Sequence, residues 1–182
     1  MHKNQPELGL PIDDWRSKVF FNPDKKIRLA TAFSGIGAIE HALERLNLNH
    51  EIVFACDIDP FVKKSYMENY SLSEDAWFDD ISSINPKPFK NKIDLFVGGS
   101  PCQSFSMVGK RGGLEDTRGT LFYDFARIIK EAEPKVFIFE NVKGLLSHDK
   151  GKTWKVIQEV FKSLNYKIYS QVLNSKHFGV PQ

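Results

Sequence analysis

Ile93-Asp94-Leu95-Phe96-Val97-Gly98-Gly99-Ser100-Pro101-Cys102 is the stretch of this 182-residue chain that decides the fold. The apolar run at 93–97 predicts a short buried strand, which the two glycines and the proline end in a sharp turn. Cys102 is therefore expected on a loop at the carboxyl end of that strand. Because ligands and catalytic groups gather at that edge of an open α/β sheet, Cys102 is a candidate nucleophile. A loop cysteine without chemistry is the alternative interpretation.

Outward from this stretch, strand and helix patterns alternate along the chain. Apolar runs typical of strands lie at 27–33, 51–56, 76–81, 93–97, 135–139 and 166–173. Helical periodicity lies at 36–47, 60–70, 121–132 and 153–164. This alternation predicts an α/β fold with a doubly wound, mainly parallel sheet and helices on both faces.

Length and composition indicate one domain, since 41% of the 182 residues are hydrophobic. Residues 1–26, which mix charges, prolines and aromatic groups, are expected to form a surface arm before the domain at 27–182. The net charge is only +2, so any binding of nucleic acid must come from a local patch. A polar amino terminus, no membrane-length apolar run and only two cysteines predict a soluble, cytoplasmic protein with reduced thiols.

A glycine turn follows the strand at 27–33, in the sequence Ser34-Gly35-Ile36-Gly37. Such a turn lets backbone approach a ligand at a helix amino terminus. Asp57 follows Gly35 by about the 20 residues at which an acid accepts hydrogen bonds from a ribose in nucleotide-binding units. Together they predict a site for a ribose-bearing cofactor. The third glycine of the dinucleotide fingerprint is missing, and Asp57 and Asp59 are alternatively caps of the helix at Pro60.

Polar residues are delivered to the same edge of the sheet by two further strands. Glu140 and Asn141 follow the strand at 135–139, and a carboxyl among apolar neighbours can act as an acid. Glu140 is alternatively a cap or an ion-pair partner. Asp80 ends the strand at 76–81 and is expected to accept a hydrogen bond from a ligand's amine. The glycine-rich, basic segment 107–120 is either a surface connection or a loop that closes over phosphates.

The chain resembles the amino-terminal part of the cytosine-C5 DNA methyltransferases of bacterial restriction-modification systems. Six blocks in the family's order carry this resemblance, over residues 27–182. They are Phe33-Ser34-Gly35-Ile36-Gly37, Asp57, Asp80-Ile81, Gly98-Gly99-Ser100-Pro101-Cys102-Gln103-Ser104-Phe105-Ser106, Arg118-Gly119-Thr120-Leu121-Phe122 and Glu140-Asn141-Val142.

The resemblance implies transfer of a methyl group from S-adenosylmethionine to carbon 5 of a cytosine flipped out of double-stranded DNA, with S-adenosylhomocysteine as product. Cys102 would form a temporary bond to carbon 6. Glu140 would contact the ring's N3 and exocyclic amine, while Pro101 and Asn141 would hold the loop. Ser104 and Arg118 are expected to contact the DNA, and Lys110 and Arg111 of the basic segment are expected to meet its phosphates. No metal is expected.

For the cofactor, the resemblance assigns Phe33 to stacking near the adenine and the glycine turn to close backbone approach. Asp57 would bind the ribose hydroxyls and Asp80 the adenine amine, with Ile58 and Ile81 lining the faces of the adenine. The assigned cofactor residues are Phe33, Gly35, Gly37, Asp57, Ile58, Asp80 and Ile81. The family commonly has a glutamate where Asp57 stands, so the reach to the ribose is shorter here.

The chain stops at Gln182, before the arginine-bearing block, the target-recognition region and the closing segment that the family has. It is therefore expected to be a truncated enzyme or one part of a split enzyme, with a second polypeptide as a possible partner. Three alternatives stay open: a cytosine methyltransferase acting on transfer RNA, a nicotinamide oxidoreductase, and a cofactor-binding subunit that is inactive without a second chain.

Overall fold

In a computed structural model that describes residues 22, 24–101 and 121–179, five parallel strands form one sheet in the order β3-β2-β1-β4-β5. The strands are Ile27–Ala32 (β1), His50–Cys56 (β2), Trp77–Phe78 (β3), Leu95–Gly98 (β4) and Val136–Phe139 (β5). The helices are Ala38–Arg45 (α1), Pro60–Asn69 (α2), Leu121–Ala132 (α3) and Lys152–Ser163 (α4). The predicted doubly wound α/β fold is confirmed, and every pairing among the described strands is parallel.

Alternation along the strands sends side chains to two faces of the sheet. On one face, Leu43 of α1 packs on Leu29 and Val97, and Tyr66 of α2 packs on Ala55. On the other face, α3 and α4 cover the larger core, a cluster of buried residues that includes Phe54, Phe96, Phe122, Phe125 and Phe161. Within it, the rings of Phe96 and Phe125 stack 4.6 Å apart. Helices therefore cover both faces, as the alternating pattern predicts.

The register brings four strand ends to one level. Ala32 at the end of β1 pairs with Cys56 of β2 and with Gly98 of β4, and Gly98 pairs with Phe139 of β5. The residues that follow these strands therefore start from the same edge of the sheet. The β1 and β4 ends adjoin where the strand order reverses, which is where open α/β sheets bind ligands.

The predicted strand at 166–173 is wrong, because the structure gives those residues no strand pairing. The segment alternates between half-buried and exposed residues from Tyr166 to Ser170, as a strand would. Tyr166 and Ile168 pack against the larger core, and the Tyr166 ring lies 5.0 Å from that of Phe137. An alternating apolar pattern indicates that every second side chain is buried. A β-strand also requires a neighbouring strand that forms hydrogen bonds with its backbone N–H and C=O groups.

Among the described residues, no helix has both the length and the apolar character that spanning a bilayer requires.

Candidate active site

The glycine turn after β1 has left-handed backbone at three positions: Phe33 (φ 57°), Gly35 (φ 55°) and Gly37 (φ 88°). A side chain on Gly37 would lie 2.1 Å from the Tyr70 ring, whereas the same position at Gly35 faces open space. Packing therefore requires glycine at position 37, while Gly35 leaves its backbone open to a ligand. Phe33 is half-buried and packs against the larger core.

Asp57 and Asp59 do different things, although both follow β2. The Gly35 amide donates to Asp57 Oδ2 (2.9 Å), and the Asp59 amide donates to Asp57 Oδ1 (3.1 Å). Asp59 is the helix cap, because its Oδ1 accepts from the amides of Phe61 (2.8 Å) and Val62 (3.4 Å). Asp57 thus lies against the glycine turn, and its oxygens keep lone pairs for further donors.

A buried polar network beneath the turn was missed by the sequence analysis. The hydroxyls of Thr31 (3.0 Å) and Tyr66 (2.7 Å) donate to Oε1 of the fully buried Glu40, and the Thr31 hydroxyl lies 2.8 Å from that of Ser34. Burial and the adjacent Glu40 raise the pKa of Tyr66, which keeps its phenol protonated as a donor. The signal was present, because Glu40 lies on the apolar face of the α1 pattern, three residues before Leu43.

Asp80 lies at the edge of the sheet beyond β3 and caps the 3₁₀ turn Ile81–Ser83. Its two carboxylate oxygens accept from the Ser82 amide (2.8 Å) and the Ser82 hydroxyl (2.6 Å), and these bonds lower the pKa of Asp80. Ile81 is buried in the larger core, whereas Ile58 is 81% exposed. Of the two isoleucines predicted to line an adenine, only Ile58 has its side chain open to a ligand.

Glu140 lies directly against the backbone that leads to Cys102. The Glu140 amide donates to the Gly98 carbonyl (3.0 Å), and a side chain on Gly99 would lie 2.8 Å from Glu140 Oε2. Asn141 donates its side-chain amide to the Ser100 carbonyl (2.8 Å). Ser100 itself is buried, and the next residue, Pro101, is exposed. The ends of β4 and β5 therefore bring Glu140 and Asn141 to the start of the predicted nucleophile loop.

The other predicted site residues, Cys102, Ser104, Lys110, Arg111 and Arg118, lie outside the described residues. In the part of the chain that the structure does describe, no three His, Cys, Asp or Glu side chains group closely enough to hold a metal ion. The second cysteine, Cys56, is buried at the end of β2. Burial, followed by the nearby Asp57 carboxylate, raises the pKa of its thiol to about 12, so Cys56 is a poor nucleophile near neutral pH.

Most of this chain is similar in sequence to known methyltransferases. The family described as "C-5 cytosine-specific DNA methylase" matches residues 27–182. The chain is 48% identical over 157 residues to the "Orphan methyltransferase M.SPRI" of Bacillus phage SPR, covering 86% of this chain and 36% of the relative. It is 43% identical over 166 residues to the "Type II methyltransferase M.HpaII" of Haemophilus parainfluenzae, covering 88% and 45%. The chain thus spans less than half the length of these relatives.

Solved structures give the same picture of the fold. A variant of DNMT2 from Spodoptera frugiperda superposes with a TM-score of 0.59 at 25% identity, over 76% of this chain and 41% of the other. The S. pombe Dnmt2 methyltransferase superposes with a TM-score of 0.54 at 24% identity, over 74% and 40%.

Proposed function

The chain belongs to the C-5 cytosine-specific DNA methylase family, and we propose that it is the part of such an enzyme that binds S-adenosylmethionine and attacks the target cytosine. The reaction is methyl transfer to carbon 5 of a cytosine in DNA. The observation that carries the proposal is the contact between two strand ends. Glu140 lies against Gly99, and Asn141 holds the Ser100 carbonyl, two residues before Cys102.

The residues at the β1, β2 and β3 ends fit the proposed cofactor. Gly35 leaves its backbone open, and Asp57 beside it has lone pairs for ribose hydroxyls. Ile58 offers an exposed apolar surface to an aromatic ring, and Asp80 offers a carboxylate to an amine. Phe33, which we propose stacks near the adenine, and Gly37 both have left-handed backbone in the turn. Ile81 supports the loop from within the core. When bound, S-adenosylmethionine would supply an electrophilic methyl group.

The proposed work of the protein is to make carbon 5 of cytosine nucleophilic. The Cys102 thiolate adds to carbon 6, and the electron pair of the C5–C6 double bond moves to carbon 5, which takes up the methyl group. Glu140 contacts N3 and the exocyclic amine and stabilises the charge that builds on the ring. Loss of the proton from carbon 5 then expels the Cys102 thiolate and restores the aromatic ring. Asn141 and Pro101 keep the loop in place.

DNA is the proposed substrate, because the family description names DNA and the relatives at 43–48% identity include a type II methyltransferase. We propose that Ser104, Lys110, Arg111 and Arg118 contact the DNA, and that the enzyme protects host DNA in the cytoplasm of a bacterium. We propose that another part of the enzyme, in the same protein or in a second polypeptide, selects the DNA sequence.

A trapping experiment tests the proposal. Covalent attack on a base does not itself require selection of a DNA sequence, so the 182-residue chain is incubated at high concentration with S-adenosylmethionine and a duplex that contains 5-fluorocytosine at many positions. The fluorine cannot leave carbon 5 as a proton does. A covalent adduct is expected with the wild-type chain and with Cys56→Ser, and none with Cys102→Ser. An adduct of the Cys102→Ser variant, or thermal stabilisation by NAD in preference to S-adenosylhomocysteine, would contradict the proposal. An adduct with a 5-fluorocytosine-containing transfer RNA, and none with the DNA duplex, would favour the alternative that the enzyme methylates transfer RNA.

A further inference from the structure

We propose that Arg127 is a positioning residue for adenine recognition, acting through the loop that carries Asp80. This inference rests on the proposed function, because it concerns how the chain would hold the adenine of its cofactor. Arg127 lies on α3, a different element from every residue assigned to the cofactor, and no motif of the sequence analysis includes it.

The guanidinium of Arg127 reaches three backbone carbonyls of one loop. Nη1 donates to the Ile84 carbonyl (2.8 Å), and Nη2 donates to the carbonyls of Ile81 (3.0 Å) and Ser82 (3.3 Å). All three residues lie within four positions after Asp80. One side chain therefore fixes both ends of the 3₁₀ turn that Asp80 caps.

Arg127 is itself held in place by Asp124, one turn earlier on α3. Its Nε (3.2 Å) and Nη2 (3.1 Å) both donate to Asp124 Oδ1. The two side chains are only 30% and 18% exposed. A planar fork of donors can bridge a carboxylate and several carbonyls at once, which the single ammonium of a lysine cannot do.

The loop needs such a support, because the sheet stops short of it. The edge strand β3 pairs with β2 only at Trp77 and Phe78. Beyond Phe78, the sheet provides no ladder to hold Asp80 at the ligand-binding edge. The loop is instead anchored by the buried side chains of Ile81 and Ile84 and by the Arg127 hydrogen bonds to its carbonyls.

The same hydrogen bonds reach the groups that orient the Asp80 carboxylate. Ser82 donates both its amide and its hydroxyl to Asp80, while its carbonyl accepts from Arg127. If Arg127 is shortened, Ser82 loses its external support, and the Asp80 carboxylate loses its fixed direction. A carboxylate can distinguish an amine from a carbonyl only if its orientation is fixed, because a hydrogen bond weakens steeply when the donor–hydrogen–acceptor angle departs from linearity.

The test measures base selectivity, which a merely structural role would not change. S-Adenosylhomocysteine and its inosine analogue, which has a carbonyl in place of the amine, are titrated into the 182-residue chain by calorimetry. The wild type is expected to prefer the adenosine form by about tenfold or more, the typical effect of one charge-assisted hydrogen bond. Both Asp80→Asn and Arg127→Lys are expected to remove most of this preference.

Arg28→Lys is the matched control. Arg28 binds Asp94 with two nitrogens, the pair is 30% and 17% exposed, and it lies at the opposite, amino-terminal edge of the sheet. This variant should lose a comparable amount of thermal stability and keep the wild-type preference. Asp124→Asn, which loosens Arg127 without removing it, is a second variant for the case that Arg127→Lys fails to fold, and it should reduce the preference.

The experiment distinguishes failure of this inference from failure of the proposed function. If Asp80→Asn removes the preference while Arg127→Lys and Asp124→Asn keep it, the inference is overturned and the proposed function stands. If the wild-type chain binds neither ligand, the proposed function falls, and the inference falls with it. If Arg28→Lys also removes the preference, the effect is general destabilisation and the assignment of Arg127 is wrong.

Discussion

The side-chain amide of Asn141 donates a hydrogen bond of 2.8 Å to the backbone carbonyl of Ser100. The two residues follow neighbouring parallel strands, β5 and β4, whose last residues Phe139 and Gly98 are paired. The side-chain oxygen of Asn141 in turn accepts from the Val142 amide (3.0 Å), which fixes the orientation of the amide. The backbone before Cys102 is therefore tied to the residue that follows Glu140.

Replacement of Asn141 by alanine is expected to slow covalent trapping of a 5-fluorocytosine duplex by about tenfold. The Ser100 carbonyl loses its hydrogen-bond donor, so the loop that carries Cys102 is no longer held in position. Binding of S-adenosylhomocysteine should be unchanged, since the residues that we propose bind the cofactor follow β1, β2 and β3, whereas Asn141 follows β5. Adduct formation over time, followed by gel electrophoresis, measures the rate. Asn49→Ala is the control, because Asn49 also donates its amide to a backbone carbonyl (Asp24, 3.3 Å) but lies far from this edge. An unchanged trapping rate in Asn141→Ala would count against the loop-holding role.

Replacement of Gly99 by alanine is expected to abolish trapping. The added methyl group would lie 2.8 Å from Glu140 Oε2 and 2.9 Å from the Glu140 carbonyl, so Glu140 must move. Gly144→Ala provides a matched control, because the nearest atom to its added methyl group is 4.0 Å away. Trapping by the Gly99 variant at the rate of the Gly144 variant would show that the position of Glu140 is unimportant.

Cys56 is expected to resist alkylation in the folded chain. Burial raises its pKa to about 12, whereas a free thiol ionises at about pH 8.5, so Cys56 stays almost entirely protonated at pH 8. Brief treatment with iodoacetamide should therefore label Cys102 and leave Cys56 unmodified, as peptide mass spectrometry can establish. Denaturant should make Cys56 reactive. Rapid native labelling of Cys56 would contradict its assigned burial.

The same raised pKa makes stability depend on pH in the alkaline range. The thiol ionises in the unfolded chain above about pH 8.5 but stays protonated in the folded chain until about pH 12. Its contribution is therefore fully present below pH 8.5 and is lost as the pH rises toward 12. Urea denaturation from pH 7 to 10 should show a fall in the free energy of unfolding that is smaller in Cys56→Ala. Equal slopes for the two proteins would contradict this.

Adjacent residues of β5 are expected to differ sharply in their contribution to stability. Phe137 packs against Phe161, with ring centroids 4.7 Å apart, whereas Val136 points to the other face and is 55% exposed. Phe137→Ala should lower the free energy of unfolding by about 3 kcal/mol, and Val136→Ala by less than about 0.5 kcal/mol. Urea denaturation at neutral pH measures both. Similar losses for the two variants would show that the assignment of faces is wrong.

Much of the fold could be predicted from local patterns. α3 has the predicted bounds, and β1, β2, β4 and β5 agree with the predicted strands to within two residues. The strand at 166–173 could not be excluded, because its alternation is genuine but backbone pairing depends on neighbours. Glu40 was overlooked for a related reason. A charged residue on an apolar helix face is interpretable only when its partners, Thr31 and Tyr66, are known.

The amino-acid sequence by itself determined the order of strands and helices, the glycine turn, and the family to which the chain belongs. Periodicity, turn residues and motifs are local properties, so they can be seen without coordinates. Only the tertiary structure decided that Asp57 rather than Asp59 supports the glycine turn, that Asn141 holds Ser100, and that Arg127 braces the Asp80 loop. These contacts join residues far apart in the chain, and strand order and register set which of them meet.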